Sequence, residues 1–252
     1  MASDLGKLAL VTGTSSGIGA AVARQLIAQR WRVVGVARRT ADFGDAYTHI
    51  ATDLAESSTA SAAIESVIAP MLRDDGYSRI GLVNNAASPD LLAAGESIDP
   101  SALERVYTVN IVMPVWLMGL MARHRRGEHP LRIINVSSGA ARGATPGLVA
   151  YGSSKAALRL AGMTMVAEWE STVPHATRRA KIAVRSYEPG VVDTDMQRLA
   201  RSIPLETFPW GGMFRDFFAG GRMNDPAGPA KEIAAFLESD ADVGFSEARF
   251  VS

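Results

Sequence analysis

Short runs of consecutive apolar residues alternate along this chain with longer stretches in which apolar positions recur at helical spacing. The short runs read as buried strands: 8–11, 31–36, 49–54, 80–83, 131–136, 181–187 and 248–251. Between them, Ala20, Ala21, Val22, Leu26 and Ile27 mark one helix. Ile64, Val67, Ile68 and Met71 mark a second over 58–72, closed by Asp74-Asp-Gly76. Further helices are predicted over 100–124, 151–171 and 230–238. Strands alternating with helices throughout imply an α/β fold, a parallel sheet covered on both faces. The segment 191–226 follows neither rhythm and is expected to be irregular, although it carries Met196, Phe208, Trp210, Met213, Phe214, Phe217, Phe218 and Met223.

No repeat, low-complexity tract or linker divides the pattern, so a single domain over 1–252 is expected. The polar connection 172–180, with Pro174, is its weakest point and is too short for a domain boundary. A chain of 252 residues with a 47% apolar share can bury a substantial core. Lys+Arg and Asp+Glu both number 26, so the formal net charge is zero. That balance provides no long-range field for nucleic acid or an anionic membrane, and neither partner is expected. There are no cysteines, which excludes disulfides and thiol catalysis. The start lacks a signal-peptide core and the run 111–122 has the length of a core helix, so a cytoplasmic protein without a membrane span is the reading. No metal site is read.

Four places carry chemistry. Thr12-Gly-Thr-Ser-Ser-Gly-Ile-Gly19 follows a strand and opens a helix. In that context glycines let the backbone turn tightly against a pyrophosphate, whose charge meets the helix N-terminus. The next strand exits into Ala37-Arg38-Arg39, with no acid before Asp42. Dinucleotide folds use an acid there for ribose hydroxyls and arginine for a 2′-phosphate, so NADP(H) is expected over NAD(H), against the competing reading of two solvated loop arginines. Tyr151 and Lys155 stand four residues apart, about 40° from each other around a helix, so a phenol has an ammonium beside it. A fixed positive neighbour favours the phenolate, and the expectation is that Lys155 lowers the Tyr151 pKa. Asn110 stands within a predicted helix, where its amide competes for backbone bonds, which marks it for local or functional use.

Taken together these features resemble the short-chain dehydrogenase/reductases, in their compact single-domain branch. Residues 12–19 match that family's cofactor loop, and Asn84-Asn85-Ala86 its motif after the fourth strand. Ser138 stands thirteen positions before Tyr151, the family's usual separation, and Pro189-Gly190-Val191-Val192-Asp193-Thr194 matches its nicotinamide-side motif. Ala87 departs from a frequent glycine. The tail Phe245-Ser-Glu-Ala-Arg-Phe-Val251, together with Gly190-Val-Val-Asp-Thr-Asp-Met-Gln197, is similar to the sepiapterin reductase and benzil reductase group.

The resemblance implies a Rossmann-type doubly wound sheet and hydride transfer between a nicotinamide and a carbonyl or carbinol carbon. Tyr151 would be the general acid, Lys155 its tuner and a holder of the nicotinamide ribose, Ser138 a partner for the substrate oxygen, and Asn110 the holder of a relay water behind Lys155. Gly13, Ser15, Ser16, Gly17, Ile18 and Gly19 would form the phosphate turn, with Arg38 at the 2′-phosphate and Arg39 a further cofactor contact. Asp53 and Leu54 would meet the adenine, Asn85 and Ala86 the ribose, and Pro189, Gly190, Val192 and Thr194 the nicotinamide carboxamide. Some NADP-preferring relatives carry a basic residue where this chain has Ser16. The expected reaction is NADPH-dependent reduction of a ketone, diketone or aldehyde. An oxidative dehydrogenase acting on a secondary alcohol and a non-catalytic NADP sensor are the alternatives. The segment 196–223 is read as a substrate lid, which would make the substrate apolar or aromatic, or else as packing or an oligomer interface. The resemblance also implies a homodimer or homotetramer.

Overall fold

A computed structural model describes residues 6–74, 76–88, 90, 92–126, 129–171, 181–240 and 244–251. Its centre is β1 (Gly6–Thr12), in which Leu8, Ala9, Leu10 and Val11 have no solvent exposure, as a strand covered on both faces requires. Around it lie β2 (Trp31–Ala37), β3 (Tyr47–Ala51), β4 (Tyr77–Asn84), β5 (Leu131–Val136), β6 (Ile182–Glu188) and β7 (Gly244–Arg249). They form one seven-stranded sheet in the order β3-β2-β1-β4-β5-β6-β7, with every pair parallel. The order reverses between β1 and β4, and the C-terminal ends of the strands leave a crevice there.

The two-residue period of each strand sorts its side chains between two cores. Leu8 and Leu10 join Val34, Val36 and Leu82 on one face. This face is covered by α2 (Ser57–Arg73), α4 (Met113–His124) and α5 (Val149–Ser171), through Ile64, Ile68, Leu117, Met121, Leu158 and Val166. Ala9, Val11 and Val33 face the other way. They meet α1 (Gly17–Ala28) and α8 (Ala227–Glu238) through Val22, Leu26, Ile233 and Leu237. The sheet is therefore doubly wound, as the alternation of elements predicts.

Several expectations are corrected. The helix read over 100–124 runs from Pro100 to His124, but within it α3 (Pro100–Tyr107) passes through a π-turn, Thr108–Val112, into α4. The wide turn centres on Asn110. Pro100–His124 is the stretch of helix, among the described residues, long and apolar enough to cross a membrane, but Leu117, Met118, Leu120 and Met121 are fully buried against the sheet. The segment 191–226 is not irregular, since α6 (Asp195–Ser202) and α7 (Gly211–Ala219) lie within it. Each is only about two turns long, too short for a helical period to stand out, and a small apolar cluster of Leu92, Ala200, Phe208 and Phe214 holds them. The last strand starts four residues before the predicted 248, because its pairing with β6 runs from Ala183–Gly244 to Glu188–Arg249. Residues 172–180 lie outside the described residues.

Candidate active site

The crevice above the β1/β4 switch point opens into a cleft of about 670 Å³. The glycine loop forms one wall. Gly13 and Gly17 both adopt positive φ, 78° and 54°, a region that costs other residues strain. A Cβ on Gly13 would stand 2.7 Å from Asn85 Nδ2, so loop and β4 exit are in direct apposition. Thr12 completes this joint: its Oγ1 accepts from the backbone amides of Asn85 and Ala86, at 3.0 Å each. Asn85 Nδ2 in turn donates to the Thr12 carbonyl at 2.9 Å. Asn85, expected at a ribose, lines the cleft, and its amide nitrogen braces the loop. Gly19 packs behind the loop. It is absent from the cleft wall, and a Cβ there would lie 2.2 Å from the Gly13 carbonyl oxygen, so its smallness seats α1 under the loop.

No side chain caps the start of α1, and its first turn has no acid, so its leading amides stay available to an anion. Arg38 and Arg39 stand at the exit of β2, both largely exposed. Arg38 lies 3.8 Å from Asp53 Oδ2, and Arg105 of α3 lies 3.7 Å from the same oxygen. Arg105 was missed by sequence reading because only the packing of α3 brings it here. Asp53 Oδ1 accepts from the Ala55 amide at 3.0 Å, fixing the Asp53–Leu54 turn at the cleft edge.

Ser138, Tyr151 and Lys155 meet on the opposite wall. Ser138 ends the exit of β5, and α5 can approach that turn closely because residue 152 is glycine: a Cβ there would lie 2.9 Å from the Ala140 carbonyl. Ser138 and Tyr151 both line the cleft, and the Lys155 ammonium sits 5.6 Å from the Tyr151 ring centre. Lys155 Nζ donates to the Val136 carbonyl at 2.8 Å and is nearly free of solvent. Burial pulls it down to about 8 and pushes the Tyr151 phenol up to about 12, against a lowering by the Ser138 hydroxyl. The net shift of the phenol is upward because desolvation is its largest cause, while the ammonium faces a carbonyl. A phenol that keeps its proton at neutral pH, with a serine hydroxyl near it, is a donor to an oxygen on which negative charge develops.

Asn110 does not reach the cleft. Fully buried, it accepts from the Ser88 amide through Oδ1 at 2.9 Å and donates to Ser154 Oγ at 3.0 Å. It thus ties the β4 exit to α5, the helix bearing Tyr151 and Lys155. The fourth side of the cleft is Pro189, Gly190, Val192 and Thr194, continued by Asp195, Met196, Leu199, Ala200 and Phe214. Gly190 takes a φ of 72°, and the chain beyond it is held by Val191–Asn224 backbone pairing at 2.8 Å. Thr194 comes so near the loop that a Cβ on Gly17 would lie 3.1 Å from its methyl.

Residues 7–203 match the family profile described as short chain dehydrogenase. The chain belongs to the short-chain dehydrogenase/reductases. Within that family it is 30% identical over 242 residues to a benzil reductase ((S)-benzoin forming) of Bacillus subtilis (strain 168), covering 94% of this chain and 96% of that one. A Bacillus cereus protein of the same description is 27% identical over 243 residues, covering 92% and 94%. The crystal structure of a Saccharomyces cerevisiae short-chain dehydrogenase/reductase superposes with a TM-score of 0.80 at 27% identity, covering 96% of each chain. Family membership makes this protein an oxidoreductase whose fold implies a nicotinamide cofactor. The cleft fits one: positive-φ glycines, uncapped helix amides and clustered guanidinium groups provide a cradle for a dianionic, two-lobed ligand.

Proposed function

We propose that the protein is an NADPH-dependent carbonyl reductase with Tyr151 as general acid. The observation that carries this is that Ser138, Tyr151 and Lys155 line the same cleft as the glycine loop, with the Lys155 ammonium 5.6 Å from the Tyr151 ring centre. Gly13, Ser15, Ser16, Gly17 and Ile18 would hold the pyrophosphate against α1. Arg38, Arg39 and Arg105 would meet a 2′-phosphate, Asp53 and Leu54 the adenine, and Asn85 and Ala86 the neighbouring ribose. Tyr151 and Lys155 would hold the nicotinamide ribose, and Pro189, Gly190, Val192 and Thr194 the carboxamide. When bound, the reduced nicotinamide supplies the hydride. The chain's own part is to place the substrate oxygen between Ser138 Oγ and the Tyr151 hydroxyl, and to pass the Tyr151 proton to that oxygen as charge builds on it. Lys155, charged at neutral pH, then favours the phenolate left behind.

Leu92, Leu148, Met196, Leu199 and Phe214 make the substrate end of the cleft apolar. An aromatic ketone or 1,2-diketone suits that lining, in keeping with relatives named for benzil and benzoin. On this reading α6 and α7 form the roof over the substrate, the lid expected of 196–223. Tyr151→Phe should lower NADPH-dependent reduction of benzil by about 10²–10⁴-fold while NADPH affinity stays within a few fold. Turnover at the wild-type rate would refute the assignment.

A further inference from the structure

One point ties the walls of the cleft together. Ser16 stands at the end of the glycine loop, Arg39 two residues past β2, and Asp195 at the head of α6, with all three on the cleft wall. Arg39 Nη2 donates to Asp195 Oδ2 at 2.9 Å, and Ser16 Oγ donates to the same oxygen, also at 2.9 Å. Arg39 Nη2 lies 3.1 Å from Ser16 Oγ as well, closing a triangle. The other carboxylate oxygen, Oδ1, takes a 2.6 Å hydrogen bond from Arg198 Nη2. Donors from two segments far apart in the chain thus converge on one anionic oxygen. That oxygen is held as a phosphate oxygen would be held, by a guanidinium and a hydroxyl. Arg38, by contrast, has only a long contact with Asp53, at 3.8 Å.

We propose that Asp195 is an internal competitor for the 2′-phosphate site and thereby a residue that limits discrimination between NADP(H) and NAD(H). This rests on the NADP(H) reading above. A 2′-phosphate that recruits Arg39 must take it from a carboxylate, and that carboxylate then stays nearby as a like charge. A 2′-hydroxyl has no such claim on Arg39 and binds without disturbing the triangle. Asp195 therefore weakens the phosphorylated nucleotide alone. Arg39 and Asp195 are 67% and 50% exposed, so water screens the tie and its effect is modest. Loss of the pair and of the repulsion together corresponds to roughly three- to tenfold in affinity.

The test is equilibrium binding, followed by calorimetry, of NADPH, NADH, adenosine 2′,5′-bisphosphate and 5′-AMP to the wild type, Asp195→Asn, Asp195→Ala and Arg39→Ala. Both Asp195 variants should bind NADPH and the bisphosphate three- to tenfold more tightly, with NADH and 5′-AMP unchanged within twofold. Unchanged or weaker NADPH binding overturns the inference, and so does equal tightening of NADPH and NADH, which would mark a general gate. Arg39→Ala separates the levels. If it weakens NADPH while the Asp195 variants change nothing, only the role of Asp195 fails. If Arg39→Ala also leaves NADPH binding unchanged, the assignment of Arg39 to the 2′-phosphate fails with it.

Discussion

Burial governs the protonation of the two side chains that share a face of α5, and the sign of each effect can be followed into stability. Lys155 titrates at about 8 in the folded protein against 10.5 as its ordinary value. Between those values the unfolded chain binds more protons than the folded one, so stability rises with pH across that window. Below it, the cost of burying the ammonium is fully present. Tyr151, pushed up to about 12 from 10.0, acts in the opposite sense: above pH 10 the unfolded chain releases its phenolic proton first, and stability falls. Between about pH 8 and 9.5 the lysine acts without the tyrosine. Urea unfolding should show the wild type gaining about 2 kcal/mol across that interval relative to Lys155→Met, which keeps the volume and has no charge to bury. Parallel pH profiles for the two proteins would show that the ammonium is not desolvated.

At the level of elements, the π-turn and the exit of β4 are joined by one amide. Asn110 presents both polar atoms to Ser88 and Ser154, all three groups being buried. Truncating it leaves the Ser88 N–H without its acceptor and removes a tie between the sheet and the helix that carries Tyr151. Asn110→Ala should therefore lower unfolding free energy by roughly 2–4 kcal/mol. If the residue only held a relay water, the same substitution would cut turnover and leave chemical denaturation almost unmoved. The helix-interior asparagine was conspicuous in sequence, but its partners were not, since Ser88 and Ser154 are ordinary residues until the fold brings three segments together.

For the molecule as a whole, a formal net charge of zero coexists with a local concentration of guanidinium groups at one end of the cleft. Arg38 and Arg105 flank Asp53, and Arg39 stands opposite them. A neutral ketone approaching the apolar end feels no overall field, whereas a nucleotide phosphate approaching the arginines does. Raising salt from about 20 mM to about 300 mM should increase the KM for NADPH roughly two- to fivefold and leave the KM for benzil unchanged. Equal salt dependence for both would mean that the arginines play no part in cofactor capture.

The strand and helix rhythm, the glycine loop and the Ser138, Tyr151, Lys155 spacing were all legible along the chain, because each depends on residues close in sequence or on a fixed helical or strand period. Segment 191–226 was not legible in this way: α6 and α7 are short, and what holds them is Leu92 and the cluster of Phe208 and Phe214, brought together only by the fold. The lowered lysine and raised phenol were equally hidden, for desolvation belongs to the packing of α5 against β5 and not to the spacing of two residues. The same holds for Asp195 on Arg39 and Ser16, more than 150 positions away. Local covalent order determined which groups are present and at what helical offset. Tertiary packing alone decided which of them are dry, which are already paired, and what charge they carry.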